Sequence, residues 1–316
     1  MSIESLINSS SAYISYNAKL FFKEERDDFL KTKMMEDERI KKLILGLKDW
    51  PGVRISSHKS AKQTFHQLSF LADIGLTVNN NEIYSVIKKI LEYRDENSIP
   101  QLIMNISLTY GGSGEDVRAW ALCDAPIVLY SLLKFGYNDP KIDKAVEILA
   151  GLGKENGWGC KVSKNLGKWR GPGGESDPCP YATLIMVKLL LLYQDKFKDK
   201  ILVGSNVLSG LWKDSLGNHP YIFYMGNDFR KLKLPFIWYD ILHVVEVLSQ
   251  VMKEKMDSSL RDMIRIINKK TDYGNICIPE SIYKFWENWD FGQKKQHSEW
   301  MEFCLRRIFH RIEQEK

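Results

Sequence analysis

The sequence predicts an all-α protein, a single domain over residues 1–316 with an inner ring of helices inside an outer one. Three observations lead there. Helices that are apolar all round alternate with two-faced ones, and a helix apolar on every side has to be buried on every side. Corresponding points such as Leu132, Leu189 and Leu248 recur at roughly 55 to 60 residues, the mark of stacked units that bury a face only against neighbours. Strand signals are weak, with no Asn-Gly hairpin between alternating runs.

In chain order, Ser11 to Phe22 is a short mixed segment rich in aromatics. Glu36 to Leu47 sets Ile40, Leu43, Ile44 and Leu47 on one face and stops at Trp50-Pro51-Gly52. Thr64 to Leu76 is periodic again and ends at Gly75. Asn80 to Tyr93 opens on an asparagine cap and aligns Ile83, Val86, Ile87, Ile90 and Leu91. From Ala119 the pairs become regular: Ala119 to Tyr137 apolar, Ile142 to Leu152 two-faced; Pro180 to Tyr193 apolar, followed by Lys200 to Leu211. Ile237 to Met252 is apolar, followed by Ser258 to Lys269. Ser298 to Ile312 has no partner after it, and closure of the ring would cover it. That makes six inner candidates, starting near residues 11, 63, 120, 180, 237 and 298, and five outer ones.

Composition narrows the function classes. A net charge of +5 is mild for 316 residues, and the lysines are scattered, so no nucleic-acid partner is expected. Five cysteines lie far apart, and the start lacks a basic stretch followed by an apolar one, so the expected home is a reducing cytoplasm. The most apolar run, Leu184 to Tyr193, is interrupted by Lys188 and is too short to span a bilayer, so no integral membrane segment is expected.

The chemistry concentrates where loops turn into inner helices. Gly171 to Leu192 carries Asp177 and Cys179 into a helix opened by Pro180, a place whose N–H groups favour anions, thiolates among them. Asp124 and Asp240 sit at comparable points of two other inner helices, either as helix caps or as an acid/base pair facing across the ring. Trp120, Tyr181, Trp238, Tyr239 and Trp300 are candidate lumen aromatics. Arg118, Arg170, Arg230, Lys231 and Lys233 fall in the same loop tier, where charge-assisted contacts would hold a diphosphate. Neither Gly111–Gly114 nor Gly171–Gly174 fits a phosphate-loop or dinucleotide fingerprint.

Gly136, Tyr137, Asp139 and Pro140 between paired helices, with Glu155-Asn156-Gly157-Trp158-Gly159 closing the next turn, resemble the prenyltransferase and squalene-oxidase repeat. The likeness is strongest over 120–310. It comes nearest to uncharacterised bacterial and archaeal members with Cys-Pro-x-Ala-Thr-Leu, Trp-Tyr-Asp-Ile-Leu-His and a final Ser-x-Trp helix, here Cys179–Leu184, Trp238–His243 and Ser298–Trp300. The resemblance implies an α/α toroid. It also implies a transferase or cyclase holding an isoprenoid-like or other hydrophobic small molecule in a central cavity, lined by Trp120, Arg170, Tyr181, Trp238, Tyr239 and Trp300. The Asp-x-Asp-Asp of the family's cyclases is missing. Asp177-Pro178-Cys179 matches the Asp-x-Cys of its zinc enzymes, which implies zinc on Asp177 and Cys179 with His243, Asp240 or no residue as third ligand, since Asp240 and not a histidine follows Tyr239. Asp124, Asp240 and His243 are then the catalytic candidates. The alternatives are a carbohydrate-active enzyme using Asp124 and Asp240 as paired carboxylates, and a non-catalytic binding protein.

Overall fold

A computed structural model describes residues 3–55, 57–167, 176–213, 215, 223–251 and 257–313. Among these, the chain runs α1 (Ile3–Ile7), α2 (Ala12–Phe22), α3 (Asp28–Met34), α4 (Glu38–Leu47), α5 (Thr64–Asp73), α6 (Asn81–Glu92), β1 (Leu102–Met104) and β2 (Val117–Ala119). It continues through α7 (Ala125–Lys134), α8 (Pro140–Gly151), α9 (Pro180–Leu190), α10 (Lys198–Lys213), α11 (Ile241–Val251), α12 (Ser258–Thr271) and α13 (Glu299–Glu313). The protein is predominantly helical. Its two short strands pair antiparallel, Leu102 with Ala119 through Met104 with Val117.

Two kinds of helix are present. In α9 every residue but Lys188 is buried, and in α11 the stretch from Ile241 to Ser249 is buried without a break. By contrast α8 buries only Ile142, Ala145, Val146, Leu149 and Ala150, and α6 only Ile83, Val86, Ile87 and Ile90, each a single face at helical spacing. Each fully buried Leu or Ile contributes about 1.5–3 kcal/mol, so residue for residue an all-round helix adds more hydrophobic stabilisation than a two-faced one. The two-faced helices are fixed by their caps. Asn80 accepts from the Glu82 and Ile83 N–H groups, Asp139 from Lys141, and Asp257 from Leu260.

The mostly buried helices touch in succession: α5 on α7, α7 on α9, α9 on α11, α11 on α13, and α13 on α2. Side chains join α2 back to α5, because Asn17 donates to the Ile74 carbonyl at 2.9 Å and Tyr13 meets Phe70 edge-on. Helices α4, α8, α10 and α12 pack outside them, and α6 packs on α4. The Gly157-Trp158 turn shows why the repeat needs those residues. Gly157 has φ +92°, and a Cβ there would lie 2.8 Å from the Thr183 hydroxyl. Trp158 then drops beneath α8, its indole N–H donating to the Leu149 carbonyl.

Several boundaries differ from the sequence expectation. Residues 117–119 pair as β2, so α7 starts at Ala125 and not at Ala119. Trp238 and Tyr239 belong to the segment leading into α11, which starts at Ile241 rather than Ile237. Helices α1 and α3 have too few residues to show a helical period, so the sequence does not announce them. Arg170 and Gly171–Gly174 lie outside the described residues. No helix among the described residues is long and apolar enough to cross a membrane.

Candidate active site at the inner-helix N-termini

Asp124, Cys179 and Asp240 each stand immediately before an inner helix, α7, α9 and α11 respectively. They do not do the same work. The Asp240 carboxylate is a cap, its Oδ1 accepting from the His243 N–H at 3.1 Å, and the Cys179 thiol caps α9 by accepting from the Ala182 N–H at 3.5 Å. Asp124 makes no capping hydrogen bond to α7. Its Oδ2 lies 2.8 Å from His58 Nε2, and its Oδ1 accepts from the Ala121 N–H at 3.2 Å. Because a carboxylate only accepts, His58 Nε2 carries the proton and Nδ1 presents the lone pair.

His58 comes from the loop between α4 and α5 and is held from both sides. Its carbonyl accepts from the His66 Nε2–H at 2.8 Å, and its ring lies against Phe65. Asp124 is wholly buried, whereas the His58 side chain keeps 17% of its surface exposed. Burial pushes the Asp124 carboxyl above its ordinary range, and the hydrogen bond and charge of His58 only partly offset this. A buried acid that fixes the orientation and tautomer of a partly exposed imidazole is a base-and-orienter pair.

Beside this pair lies an aromatic shelf. Tyr181 and Trp238 are tilted together at 4.1 Å, Phe223 stacks on Trp238 at 5.8 Å, and Lys59 Nζ stands 5.1 Å over the Trp238 ring. Tyr181 is buried and anchored by its hydroxyl donating to the Ile237 carbonyl, and burial, with Asp124 nearby, holds its phenol above the ordinary range. Tyr239 packs on Phe223 and Phe229, with its hydroxyl unpartnered among the described residues. Trp238 is half-buried, so the shelf has an accessible edge.

Other candidates fall elsewhere. Trp120 donates from its indole to Asp95, and Trp300 packs on Tyr13, Phe70 and Phe303. His243 donates from Nδ1 to the Trp238 carbonyl at 3.0 Å and stacks on Phe236. Its Nε2 is buried without a partner among the described residues, and desolvation, aided by Lys188, lowers its pKa to about 3. Asp240 keeps Oδ2 unpartnered among the described residues, and burial raises its pKa to about 7. No described interaction joins Asp124 to Asp240. The basic residues have partners of their own: Arg118 lies over Tyr93, Arg230 over Trp212, and Lys231 and Lys233 both bind Asp228.

The donor set for zinc does not converge. Asp177 is exposed, the Cys179 thiol contacts the thiols of Cys123 and Cys160, and His243 answers to Lys188 and Asp73. Among the described residues no group of three or more His, Cys, Asp or Glu side chains is arranged to hold a metal ion.

Between α5, α7, α9, α11 and α13 the structure gathers a set of ion pairs that the sequence reading does not single out. Lys188 binds Asp73 at 3.1 Å, and the Tyr130 hydroxyl donates to Asp73 at 2.6 Å. Arg307 and Arg311 bind Glu246 at 3.0 and 2.9 Å. A neighbouring cavity lined by His66, Ser69, Asp73, Leu234, Pro235, Phe236, Trp300 and Arg307 measures about 10 Å³. That is room for one water, not for an isoprenoid.

No family model, curated protein or solved structure matches the chain.

Proposed function

We propose that this protein is a small-molecule enzyme on a closed α/α toroid, with its active site at the N-terminal ends of α7, α9 and α11. The unbroken succession of contacts from α5 through α13 to α2, completed by Asn17 and Tyr13 against Ile74 and Phe70, supports closure. His58 serves as general base through Nδ1, and Asp124 holds its ring and stabilises the imidazolium formed when a proton is taken. The substrate is a hydrophobic or ring-bearing molecule, an isoprenoid-like one among them, lying against Tyr181 and Trp238 with an anionic group drawn by Lys59.

One observation carries this reading: the 2.8 Å contact between His58 and a buried Asp124 that does not cap its helix. The test is turnover on a panel of isoprenoid diphosphates, aryl esters and aryl glycosides by wild type, His58→Ala and Asp124→Asn. Activity that falls about 10²–10⁴-fold in both variants, with helix content unchanged, supports the assignment. Undiminished activity in either variant overturns it, as does no turnover of any panel member by the wild type.

A further inference from the structure

We propose that Cys123, Cys160 and Cys179 form an oxidisable thiol cluster, a modification site where a hydroperoxide joins Cys179 to one of its two thiol neighbours as a disulfide. Three stretches distant in sequence are brought side by side by backbone hydrogen bonds. Ala121 bridges Val162 antiparallel, and the Leu122 N–H donates to the Lys161 carbonyl at 2.9 Å, so the next residues along the two segments are Cys123 and Cys160. The Cys179 N–H donates to the Trp158 carbonyl at 2.7 Å, which lays the third thiol alongside the second segment. Cys123 and Cys160 are also the two side chains that act most strongly on the Cys179 thiol.

Exposure orders the chemistry. Cys179 is buried, whereas Cys123 and Cys160 are only partly buried and meet an oxidant first. The thiolate of Cys123 or Cys160 attacks the peroxide, giving a sulfenic acid and one water after protonation. The Cys179 sulfur then displaces the sulfenic oxygen as a second water. In sum, two thiols and one hydrogen peroxide give one disulfide and two waters. The sulfurs are oxidised by two electrons and the peroxide is reduced by two. The bond ties the approach to α7, or the segment before α9, to the start of α9. The other two cysteines are built differently: Cys277 is buried and donates from its thiol to the Gly274 carbonyl, and Cys304 is buried within α13.

The experiment uses the full, pre-reduced chain titrated with hydrogen peroxide, with thiol counting and peptide mapping under non-reducing conditions. The expected result is loss of two thiols per chain, a peptide linking Cys179 to Cys123 or Cys160, and full reversal by dithiothreitol. Cys277 and Cys304 stay reduced. In a Cys123→Ala/Cys160→Ala double variant, checked for retained helix content, the two-thiol loss disappears. Wild-type oxidation to unlinked sulfinic acids, cross-links dominated by Cys277 or Cys304, or a two-thiol loss persisting in the double variant would each overturn the proposal. Should the double variant fail to fold, the wild-type peptide map alone still separates these outcomes, because it reads the linkage directly.

Discussion

Two sets of enclosed carboxylates sit at different places in this molecule, and although burial raises the pKa of all four, their protons end up shifted in opposite directions. Beside the inner-helix N-termini, Asp124 and Asp240 are raised, because desolvation of the charged form outweighs one imidazole in the first case and backbone donors in the second. Between α5, α9, α11 and α13, Asp73 and Glu246 are also enclosed, Asp73 the less completely with 15% of its side chain exposed, yet both are lowered, because Lys188 faces the first and Arg307 and Arg311 face the second. The cations decide it. A carboxylate enclosed with a permanent cation is structural, and one enclosed without it is kept chemically responsive.

The sharpest way to break that comparison is to remove one partner from each of the cation-paired carboxylates. Glu246→Gln strands two guanidinium groups, and removal of one partner from a buried pair costs about 3–5 kcal/mol. Lys188→Met should cost a similar amount, and Asp73→Leu added to it should recover much of the loss. Urea unfolding measures both. A loss under ~1 kcal/mol in either single variant would mean these ion pairs are solvated after all.

The pH dependence comes next. Asp240 titrates near pH 7 when folded and near the ordinary carboxyl value when unfolded, so between about pH 4 and 7 only the folded state holds this proton. Its contribution to stability therefore falls as pH rises through that window. His66 and His243, both lowered to about 3, act in the other sense. Between about pH 4 and 6.5 the unfolded chain takes up their two protons, so stability falls as pH drops. For these three groups the net difference is one proton, which contributes a slope of about 1.4 kcal/mol per pH unit at most. Asp240→Asn removes the opposing proton, so it should gain on wild type steadily from pH 4 to 7. Parallel stability curves for the two proteins would contradict the assignment.

Asp124→Asn should change stability by only ~1 kcal/mol, because the amide can still accept from Ala121. Its effect belongs to His58, where ¹⁵N shifts should show the neutral ring losing its preference for the Nε2–H tautomer. An unchanged tautomer would remove the orienting role. Smallest of all, Trp238→Ala should raise KM for an aromatic-shelf substrate by about 10-fold with kcat nearly unchanged. A fall in kcat alone would place the shelf in chemistry rather than binding.

Much of the fold was legible. The faces of α4, α6 and α8 and the all-round burial of α9 follow from period and composition. The Pro180 start of α9 follows from a proline after a capping residue. The start of α7 does not, because Ala119 reads as helix until Leu102 is present to pair with it as a strand. Within the site, Asp124, Tyr181 and Trp238 stand out as polar or aromatic groups at the starts of apolar helices. His58 gives no signal, lying in a polar loop with nothing periodic about it.

By itself the sequence determined which helices are interior and where each begins to expose polar groups, since periodicity and caps are local properties. Only the tertiary structure decided which polar groups meet. Asp124 and Asp240 look alike along the chain. One faces His58, 66 residues away, and the other caps its own helix. That distinction depends on contacts between distant segments and on the desolvation they impose, neither of which is written in any single stretch of chain.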